Sequence, residues 1–487
     1  MKKHLVALAA LAFAGSVWSQ RKIEYVEYDL PNGLHVILHE EHATPIVAVS
    51  IMYHVGSKNE KTDKTGFAHF FEHLLFEGSA NIGRGEYSEL VERNGGALNA
   101  NTSQDRTYYY ELLPSNQTEM GIWLESERLL HAKVDKTGIE TQRQVVKEEK
   151  RQRYDNQPYA SFMIEMFGRM YKSHPYNWVP IGSMEHLDAA EEADYVNFYK
   201  TFYVPSNAVL SIAGDINIEE TKKWVSNYFG SIPKGQAINL YRDFENLNDA
   251  EFAKIYGIEK SKFNAKDILG SKDPEAQKVI KKYTAMPTSI PRPLRNEAPL
   301  DKVVTDTVYD NIQLPALFYG YRLPEQLNAD SYALEMLNTV LSGGTSSRMN
   351  KNIVEKKQLA VAAFSFAFGL EDPGMGLVGT IASNGVDLST LQKALDEEIT
   401  NVQDNLISQE EFEKLRNQVE NSIVSSNSSV AGIAENLAQN YMYMGSTAMI
   451  NNEMAKYMAV TREDIQRVAK KYLTQDARII LYYLPKK

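Results

Sequence analysis

The amino-acid sequence predicts an α+β protein built from two α/β-sandwich domains of one common fold, because the same succession of elements occurs twice. YVPSNAVLSIAGDIN follows a helical pattern and supplies a turn and a Val/Leu/Ile-rich strand. TREDIQRVAKKYLTQDARIILYYLP repeats the order of helix, turn and strand roughly 270 residues later. Earlier in each half, FAHFFEHLLFEGS aligns with YALEMLNTVLSGG at a similar offset. A single fold used twice accounts for all of these matches.

The two aligned helical segments differ in one respect, because only the first carries a cluster of polar side chains. In order along the chain, His69, Glu72 and His73 align with Leu334, Leu337 and Asn338. All ten histidines of the chain lie at or before His186. A histidine-based site would therefore belong to the first half.

The composition divides the chain into four segments. Residues 1–19 have two lysines, an apolar run and small residues near the end, the pattern of a secretory signal peptide. Residues 20–233 form the predicted N-terminal domain, with the candidate catalytic residues, and residues 300–487 form the C-terminal one. Residues 234–299 contain charged helical patches and the proline-rich MPTSIPRPLR, so we expect a linker with a helical insert there.

Charge and cysteine content limit the classes of function. The net charge of −11, without clusters of Lys and Arg, disfavours nucleic acid and anionic membranes as partners. No segment after the leader is long and apolar enough to cross a bilayer. The chain has no cysteine, which excludes disulfides, thiolate catalysis and cysteine metal ligands. We therefore expect a periplasmic or secreted protein with no nucleic-acid or membrane partner.

The segment TGFAHFFEHLLFEG predicts a helix that is apolar on nearly all sides. Its polar exceptions His69, Glu72 and His73 are spaced i, i+3 and i+4, so they share one face. Burying a carboxylate and two imidazoles without partners costs several kcal/mol, on the order of a folded protein's net stability. Two core histidines bonded to backbone or to Glu72 would satisfy this requirement, and so would a divalent metal. A catalytic zinc site would also need a third protein ligand and one open position.

A third ligand is available in GIETQRQVVKEEKRQRYDNQP. If this segment is helical, Glu149 shares a stripe with Ile139 and Val146, whereas Glu148 falls on the polar side. Glu149 is therefore the carboxylate that we expect to point towards the core. Taken alone, it would be better explained as a solvated residue of the KEEKR charge cluster.

These motifs resemble those of the pitrilysin or insulinase-like zinc metallopeptidases, whose inverted HxxEH is followed by a glutamate ligand. The similarity extends through NGLHVILHEEHATPIVAVSIMYHVGSKNE, GGALNANTSQDRTYYYELL, HPYNWVPIGSMEHL and FYVPSNAVLSIAGD, and weakly through LSGGTSSRM. The size is similar to that of the family's shorter members, such as mitochondrial processing peptidase and its bacterial relatives. The resemblance implies a processing-peptidase-like metallohydrolase fold and a clamshell dimer.

The resemblance also implies roles for the polar residues. His69, His73 and Glu149 would bind one Zn²⁺ per chain, and Glu72 would be the general base on the metal-bound water. Zinc lowers the pKa of bound water from 15.7 to about 7. A carboxylate one helical turn from the ligands can then take a proton and pass it to the leaving amine.

The substrate-binding residues are less clearly defined. ALNANTS resembles the family's edge strand, which pairs with the substrate backbone, and this implies Asn99 and Ala100 as substrate contacts. An ordinary strand after a GG turn explains the segment equally well. Where this chain has Gln142, members of the family often carry a glutamate that supports the metal ligands without binding the metal itself. That departure affects the tuning of the site and leaves metal binding intact.

A second departure concerns the C-terminal domain, where active members draw an Arg and a Tyr from the pattern LRxxxxLGY. In IVEKKQLAV the matching positions are Val354 and Val361, and no tyrosine occurs between Tyr332 and Tyr441. Loss of one oxyanion donor typically costs about 2.7 to 4 kcal/mol. A homodimer would lack these groups in both halves. We therefore expect a heterodimer with a homologous chain that carries the Arg/Tyr pair and lacks HxxEH.

The sequence thus predicts a zinc-dependent endopeptidase that acts on flexible peptides. The alternative is a non-catalytic scaffold or assembly subunit of the same fold. The intact set of three candidate ligands and a base argues against it, because a non-catalytic subunit does not need them. A metal-dependent hydrolase of another substrate class is a weaker interpretation, because the edge-strand segment suits an extended peptide.

Overall fold

Two β-sheets of matching topology form the centre of the protein. The structure is a computed structural model, and it describes residues 22–234, 244, 247–262, 273–284, 290–293 and 297–486. The signal peptide predicted at residues 1–19 and parts of the linker predicted at residues 234–299 lie outside these ranges.

The first sheet has six strands in the order β1-β2-β6-β3-β5-β4, and the second has five in the order β7-β11-β8-β10-β9. The strands are β1 (Val26–Asp29), β2 (His35–Glu40), β3 (Ile46–Tyr53), β4 (Ala97–Thr102), β5 (Thr107–Pro114), β6 (Ala208–Gly214), β7 (Val304–Asp310), β8 (Ala316–Arg322), β9 (Ala360–Phe368), β10 (Met375–Ala382) and β11 (Ile479–Pro485). In each sheet one parallel pair, β2 with β6 and β7 with β11, is followed by antiparallel pairs only. The predicted repeat of one fold is therefore confirmed.

Helices cover the sheets, and their positions agree with the predicted helical segments. The helices are α1 (Phe67–Leu74), α2 (Glu86–Arg93), α3 (Thr118–His131), α4 (Lys136–Lys150), α5 (Phe162–Met170), α6 (Met184–Ala189), α7 (Glu192–Phe202), α8 (Ile218–Phe229), α9 (Asp249–Tyr256), α10 (Pro274–Thr284), α11 (Ser331–Ser342), α12 (Leu388–Asp404), α13 (Gln409–Ser426), α14 (Val430–Met444), α15 (Glu453–Met458) and α16 (Arg462–Tyr472). π-Helical turns follow α4 at Arg151–Asp155 and precede β9 at Asn350–Lys356.

One helix from each half packs on the sheet of the other half. Helix α5 lies against β8 and β11, where Phe162 stacks on Phe318 with ring centroids 5.0 Å apart. Helix α14 covers β3 and β6 of the first sheet, and Tyr441 stacks on His35 at 3.4 Å. Because each sheet buries an apolar face under a helix of the other half, the two domains share their hydrophobic cores.

A buried cluster of charges also joins the two halves. Lys58 Nζ lies 2.8 Å from Asp105 and contacts Glu371 and Asp372 from the second half, and all four side chains are at most 9% exposed. Burial alone lowers the pKa of Lys58, but the three carboxylates together raise it above its usual range. The lysine therefore stays charged and compensates carboxylates contributed by both halves.

The described part of the segment expected to be a linker contains two helices, α9 and α10. Helices α9 and α10 pack through a small core of Phe252, Tyr256, Ala276 and Val279. Across the described residues, no helix has the length and apolar character needed to span a bilayer.

Candidate metal centre

Helix α1 begins at a tight turn that is held by glycines. Gly66 precedes the helix in the left-handed conformation, with φ of 95°. Gly182 packs directly on this turn, where an added Cβ would lie 2.3 Å from the Gly66 nitrogen. Only glycine permits so close an approach of two backbones. The segment around Gly182 therefore fixes where the polar trio of α1 stands.

His69 and His73 present their Nε2 atoms to one carboxylate oxygen of Glu149, which comes from α4. Glu149 Oε2 lies 3.3 Å from His69 Nε2 and 3.0 Å from His73 Nε2. One ligand atom from each of the three residues lies within 4.8 Å of the others. The structure therefore brings together the three residues that the sequence nominates as ligands.

The choice of Glu149 over Glu148 also agrees with the geometry. The Glu149 side chain is 14% exposed, whereas Glu148 is 44% exposed and paired with Arg151 at 2.8 Å. Burial raises the pKa of Glu149, but hydrogen bonds and charge from His69 and His73 outweigh it and lower the pKa below its ordinary value. Glu149 is therefore ionised, as a carboxylate ligand of a cation must be.

These residues open onto a cavity of about 870 Å³, within the usual size range of ligand pockets. Its lining consists of His69, Glu72, His73, Asn99, Ala100, Asn101, Thr102, Gln144, Val145, Glu148, Glu149, Gln152, Arg153, Tyr154, Pro180 and Ile181. Glu72 makes no hydrogen bond or ion pair with any other described residue. A carboxylate one turn after His69 and next to His73 is thus available to a molecule bound in the cavity.

One wall of the cavity is the edge strand β4, which places Asn99 and Ala100 beside the trio. Strand β4 pairs with β5 on one side only. Asn99 Oδ1 accepts a hydrogen bond from the amide of Ala100 at 2.9 Å. The expected edge strand is therefore present next to the candidate ligands.

Gln142 lies outside this cavity, two helical turns before Glu149 on α4. Its side-chain amide donates a hydrogen bond to Glu77 Oε1 at 2.5 Å. Glu77 is also paired with Arg84 at 2.9 Å. Gln142 thus links α4 to the loop that follows α1.

Val354 and Val361 do not reach the cavity of their own chain. Val354 lies in the π-helical turn before β9 and packs against the second core. Val361 is on the edge strand β9 and is 54% exposed. Every residue that lines the cavity comes from the first half. A side chain at either position could therefore contribute only to the site of another chain.

In the second half, the region that corresponds to the metal site, between α11 and β9, is not an open cleft. Leu334 and Leu337 of α11 are buried. Asn338 accepts a hydrogen bond from the Ser365 hydroxyl of β9, and Ser342 Oγ accepts one from the Ser365 amide at 2.7 Å. Hydrogen bonds therefore join α11 to its edge strand, where the first half has an open cavity.

Sequence reasoning missed the residues that hold the two ends of α1. At the start, the Glu60 carboxylate accepts hydrogen bonds from the amides of Gly66 and Ala68, both at 2.8 Å. Burial raises the pKa of Glu60 to about 8, although these hydrogen bonds lower it. At the end, the fully buried Arg128 donates to the Leu75 carbonyl at 2.8 Å. In the sequence, LESERLLH looks like a solvated helix, so no local signal marks Arg128.

Arg153 and Tyr154 line the cavity and also escaped sequence analysis. Arg153 Nη1 lies 2.7 Å from Glu149 Oε1, a pairing that the i, i+4 spacing could have indicated. Burial and the charge of Glu149 raise the pKa of Tyr154, while Arg153 lowers it. Tyr154 reaches the cavity through the π-helical turn after α4, which periodicity does not predict.

Comparison with known protein families supports this architecture. Residues 35–176 match a family model described as Insulinase (Peptidase family M16). Residues 191–419 match a second model, described as Peptidase M16 inactive domain. The chain belongs to the insulinase family, peptidase family M16. Its candidate ligands all lie within the first match, and the closed cleft of α11 lies within the second.

Several relatives of this M16 chain are named zinc proteases. "Zinc protease PqqE" from Helicobacter pylori is 28% identical over 459 residues, covering 93% of the chain and 91% of the relative. "Uncharacterized zinc protease YmxG" from Bacillus subtilis is 22% identical over 458 residues, covering 93% and 97%. Family membership and these names agree on a zinc-protease family.

Solved structures show the same M16 fold. A protease from Helicobacter pylori has a TM-score of 0.81 at 25% identity and covers 95% of this chain and 100% of that one. The periplasmic protease PqqL from Escherichia coli has a TM-score of 0.67 at 16% identity. That match covers 94% of this chain but only 47% of PqqL. The predicted two-domain fold is confirmed.

The donor set of this M16 chain fits zinc. Two imidazole nitrogens and one carboxylate oxygen form the three-ligand set of catalytic zinc sites, which leave a fourth position for water or substrate. Magnesium and calcium prefer oxygen ligands, so two histidines disfavour them. The buried Nδ1 of His69 has no hydrogen-bond partner among the described atoms. The Nε2 atoms of His69 and His73 both face Glu149, so they are the ring nitrogens placed to bind a metal.

Proposed function

We propose that this chain is the metal-bearing subunit of a zinc endopeptidase that hydrolyses flexible peptides. The observation that carries this proposal is the convergence of His69, His73 and Glu149 within 4.8 Å, with Glu72 in the same cavity. Membership of a family whose relatives are named zinc proteases supports the choice of metal and reaction. One Zn²⁺ per chain would supply Lewis-acid chemistry, which polarises a carbonyl and makes water more acidic.

Glu72 acts as the general base and then as the general acid. It accepts a proton from the attacking water while the water oxygen bonds to the carbonyl carbon of the substrate. It returns that proton to the amide nitrogen as the C–N bond breaks, which leaves a carboxylic acid and an amine. Its lack of other hydrogen-bond partners among the described residues leaves the carboxylate free for this transfer.

The substrate binds as an additional strand on β4. An extended peptide can pair with the free edge, and its carbonyl would replace the Asn99 side chain as acceptor for the Ala100 amide. A folded protein rarely offers an unpaired strand, whereas a flexible peptide does so readily. This requirement explains why we propose flexible peptides as substrates.

Metal removal tests the proposed reaction. A chelator should abolish cleavage of a quenched fluorescent peptide library by the purified mature chain. Zinc at one equivalent should restore cleavage, and magnesium should not, because the ligand set contains two imidazoles. Metal content measured on the same samples should be one zinc per chain. Cleavage that survives complete metal removal would refute a metal-dependent endopeptidase. A zinc-loaded chain that cleaves nothing, either alone or with the homologous partner, would favour the scaffold subunit.

We also propose that a homologous partner chain completes the site. Val354 and Val361 cannot supply the guanidinium and phenol of active family members. PqqL supports the pairing of two such units. The structural match covers 94% of this chain but only 47% of the PqqL chain, so PqqL is long enough to contain a second unit of this size.

Mixing tests the partner. Adding a homologous chain with the Arg/Tyr pair and no HxxEH should raise kcat by about 100-fold to 1000-fold, the usual effect of one oxyanion donor. Adding a second portion of this chain serves as the control. A rate that the partner does not change would contradict the heterodimer.

The place of action follows from the leader and one structural relative. The signal peptide expected at residues 1–19 would direct the chain out of the cytoplasm. PqqL, which shares the fold, is a periplasmic protease. We therefore propose a periplasmic or secreted location.

A further inference from the structure

The chain segment after Glu149 leaves the α-helical path. Residues Arg151–Asp155 form a π-helical turn, in which the amide of Asn156 donates to the Arg151 carbonyl at 2.9 Å. The wider spacing of a π-helix rotates the following side chains relative to a continued α-helix, and such turns are frequent at functional sites. Tyr154 is thereby brought onto the wall of the cavity that holds His69, Glu72 and Glu149.

The Tyr154 side chain packs against the protein through its ring, and its hydroxyl makes no hydrogen bond among the described residues. Its ring is partly buried and packs against the first hydrophobic core. In the part of the chain that the structure describes, no group forms a hydrogen bond with its hydroxyl. By contrast, the hydroxyls of Tyr109 and Tyr199 in the same domain donate to backbone carbonyls at 2.8 to 2.9 Å. A fixed ring with an available donor is what preorganised stabilisation of charge requires.

Other polar side chains in the cavity are less suited to this task. Gln152 donates to Glu148 at 2.6 Å, and Gln144 is exposed on a flexible side chain. The Thr102 hydroxyl oxygen is shielded from solvent. Asn99 and Asn101 line the cavity from β4, where their side-chain oxygens already accept hydrogen bonds from the Ala100 amide and from Arg106. Tyr154 is the neutral donor of the cavity that lies on the π-helical turn after Glu149 and makes no other hydrogen bond among the described residues.

We propose that Tyr154 donates a hydrogen bond from within the chain to the oxyanion that develops on the substrate carbonyl. This inference rests on the proposed peptidase function and names a further catalytic residue for it. As the water oxygen bonds to the carbonyl carbon, the electron pair of the C=O π bond moves onto oxygen. Tyr154 stabilises that charge without transferring its proton, and the pair returns when the C–N bond breaks.

Arg153, the residue before Tyr154, contacts the candidate ligand Glu149. Its guanidinium lies 2.7 Å from Glu149 Oε1, the oxygen turned away from the closest histidine contacts. The other carboxylate oxygen of Glu149, Oε2, faces His69 and His73. Arg153 also keeps a positive charge beside Tyr154 on the same turn.

Substituting Tyr154 tests the proposal in the zinc-loaded mature chain without a partner. Tyr154→Phe keeps the ring and removes only the hydroxyl, so kcat should fall by about 100-fold to 1000-fold while KM changes little. Zinc content and the midpoint of thermal unfolding should match those of the wild type. Tyr309→Phe is the matched control, because Tyr309 is 56% exposed on β7 and should leave kcat unchanged.

A second measurement separates stabilisation of the oxyanion from substrate binding. A phosphinate that replaces the scissile amide of a cleaved library peptide mimics the tetrahedral anion. Its affinity for the Tyr154→Phe chain should fall by a factor similar to the loss in kcat. The affinity of the uncleaved peptide, measured in a Glu72→Gln background, should stay the same.

The outcomes distinguish this proposal from the proposed function. If wild type cleaves, Glu72→Gln does not, and Tyr154→Phe retains both kcat and phosphinate affinity, then only the role of Tyr154 is overturned. Loss of zinc or of thermal stability in Tyr154→Phe would assign a structural role and also overturn it. If zinc-loaded wild type cleaves no peptide, either alone or with the homologous partner, the proposed function fails and this inference fails with it.

Discussion

Replacing Glu72 with glutamine should remove peptide cleavage while zinc stays bound. Glutamine keeps the shape of glutamate but cannot accept the proton of the attacking water. General acid–base catalysis contributes about 100-fold to 10,000-fold, so we expect kcat to fall within that range. Because Glu72 is not one of the three convergent ligands, zinc content should remain one per chain. Single-turnover cleavage of a library-derived peptide, with metal analysis of the same sample, measures both quantities.

Glu148→Gln is the matched control for this variant. Glu148 lines the same cavity, but its carboxylate is 44% exposed and paired with Arg151. Its substitution should leave kcat close to that of the wild type. Equal effects of the two substitutions would contradict the assignment of Glu72 as the base. A scaffold subunit would have no turnover for either substitution to remove.

Replacing Lys58 with methionine should destabilise the whole protein. The substitution leaves Asp105, Glu371 and Asp372 buried without the lysine that compensates them. Removing one partner from a buried charge cluster costs about 3 to 5 kcal/mol of unfolding free energy. Equilibrium unfolding in urea, followed by circular dichroism and by tryptophan fluorescence, should show the loss. Because the two halves share their cores, both signals should change together.

An exposed lysine provides the comparison for Lys58. Lys222 pairs with Glu219 at 2.8 Å, but the side chains are 34% and 76% exposed. Surface ion pairs contribute about 0 to 1 kcal/mol, so Lys222→Met should change the unfolding free energy by no more than that. If Lys58→Met is no more damaging than Lys222→Met, the buried cluster does not hold the halves together.

The candidate metal site could be predicted almost entirely from local sequence. The spacing of His69, Glu72 and His73 fixes their common face because α-helix geometry is regular. The choice of Glu149 over Glu148 followed from the apolar stripe of one helix, and the two side chains differ in burial as expected. These inferences hold because each depends on periodicity within a single element. The role of each residue in catalysis remains a prediction.

The repeat of the fold was likewise visible in sequence, because turn and strand signals are local and recur in both halves. The loss of the family's Arg and Tyr could also be read directly from the sequence, because valine stands at both matching positions, Val354 and Val361. The sequence could not predict which part of the protein these two side chains face. Their distance from the cavity of their own chain depends on how the two halves pack.

The sequence by itself therefore determined the fold used twice, the single polar trio and the third carboxylate that accompanies it. Only the tertiary structure decided that α5 and α14 each pack on the sheet of the other half. It also decided that the positive charge of Lys58 compensates carboxylates from the second half. It also decided that Tyr154 turns into the cavity beside Glu149. The physical reason is that these features arise from contacts between residues distant in sequence or from a local break in helical geometry. Hydrophobic periodicity records neither of them.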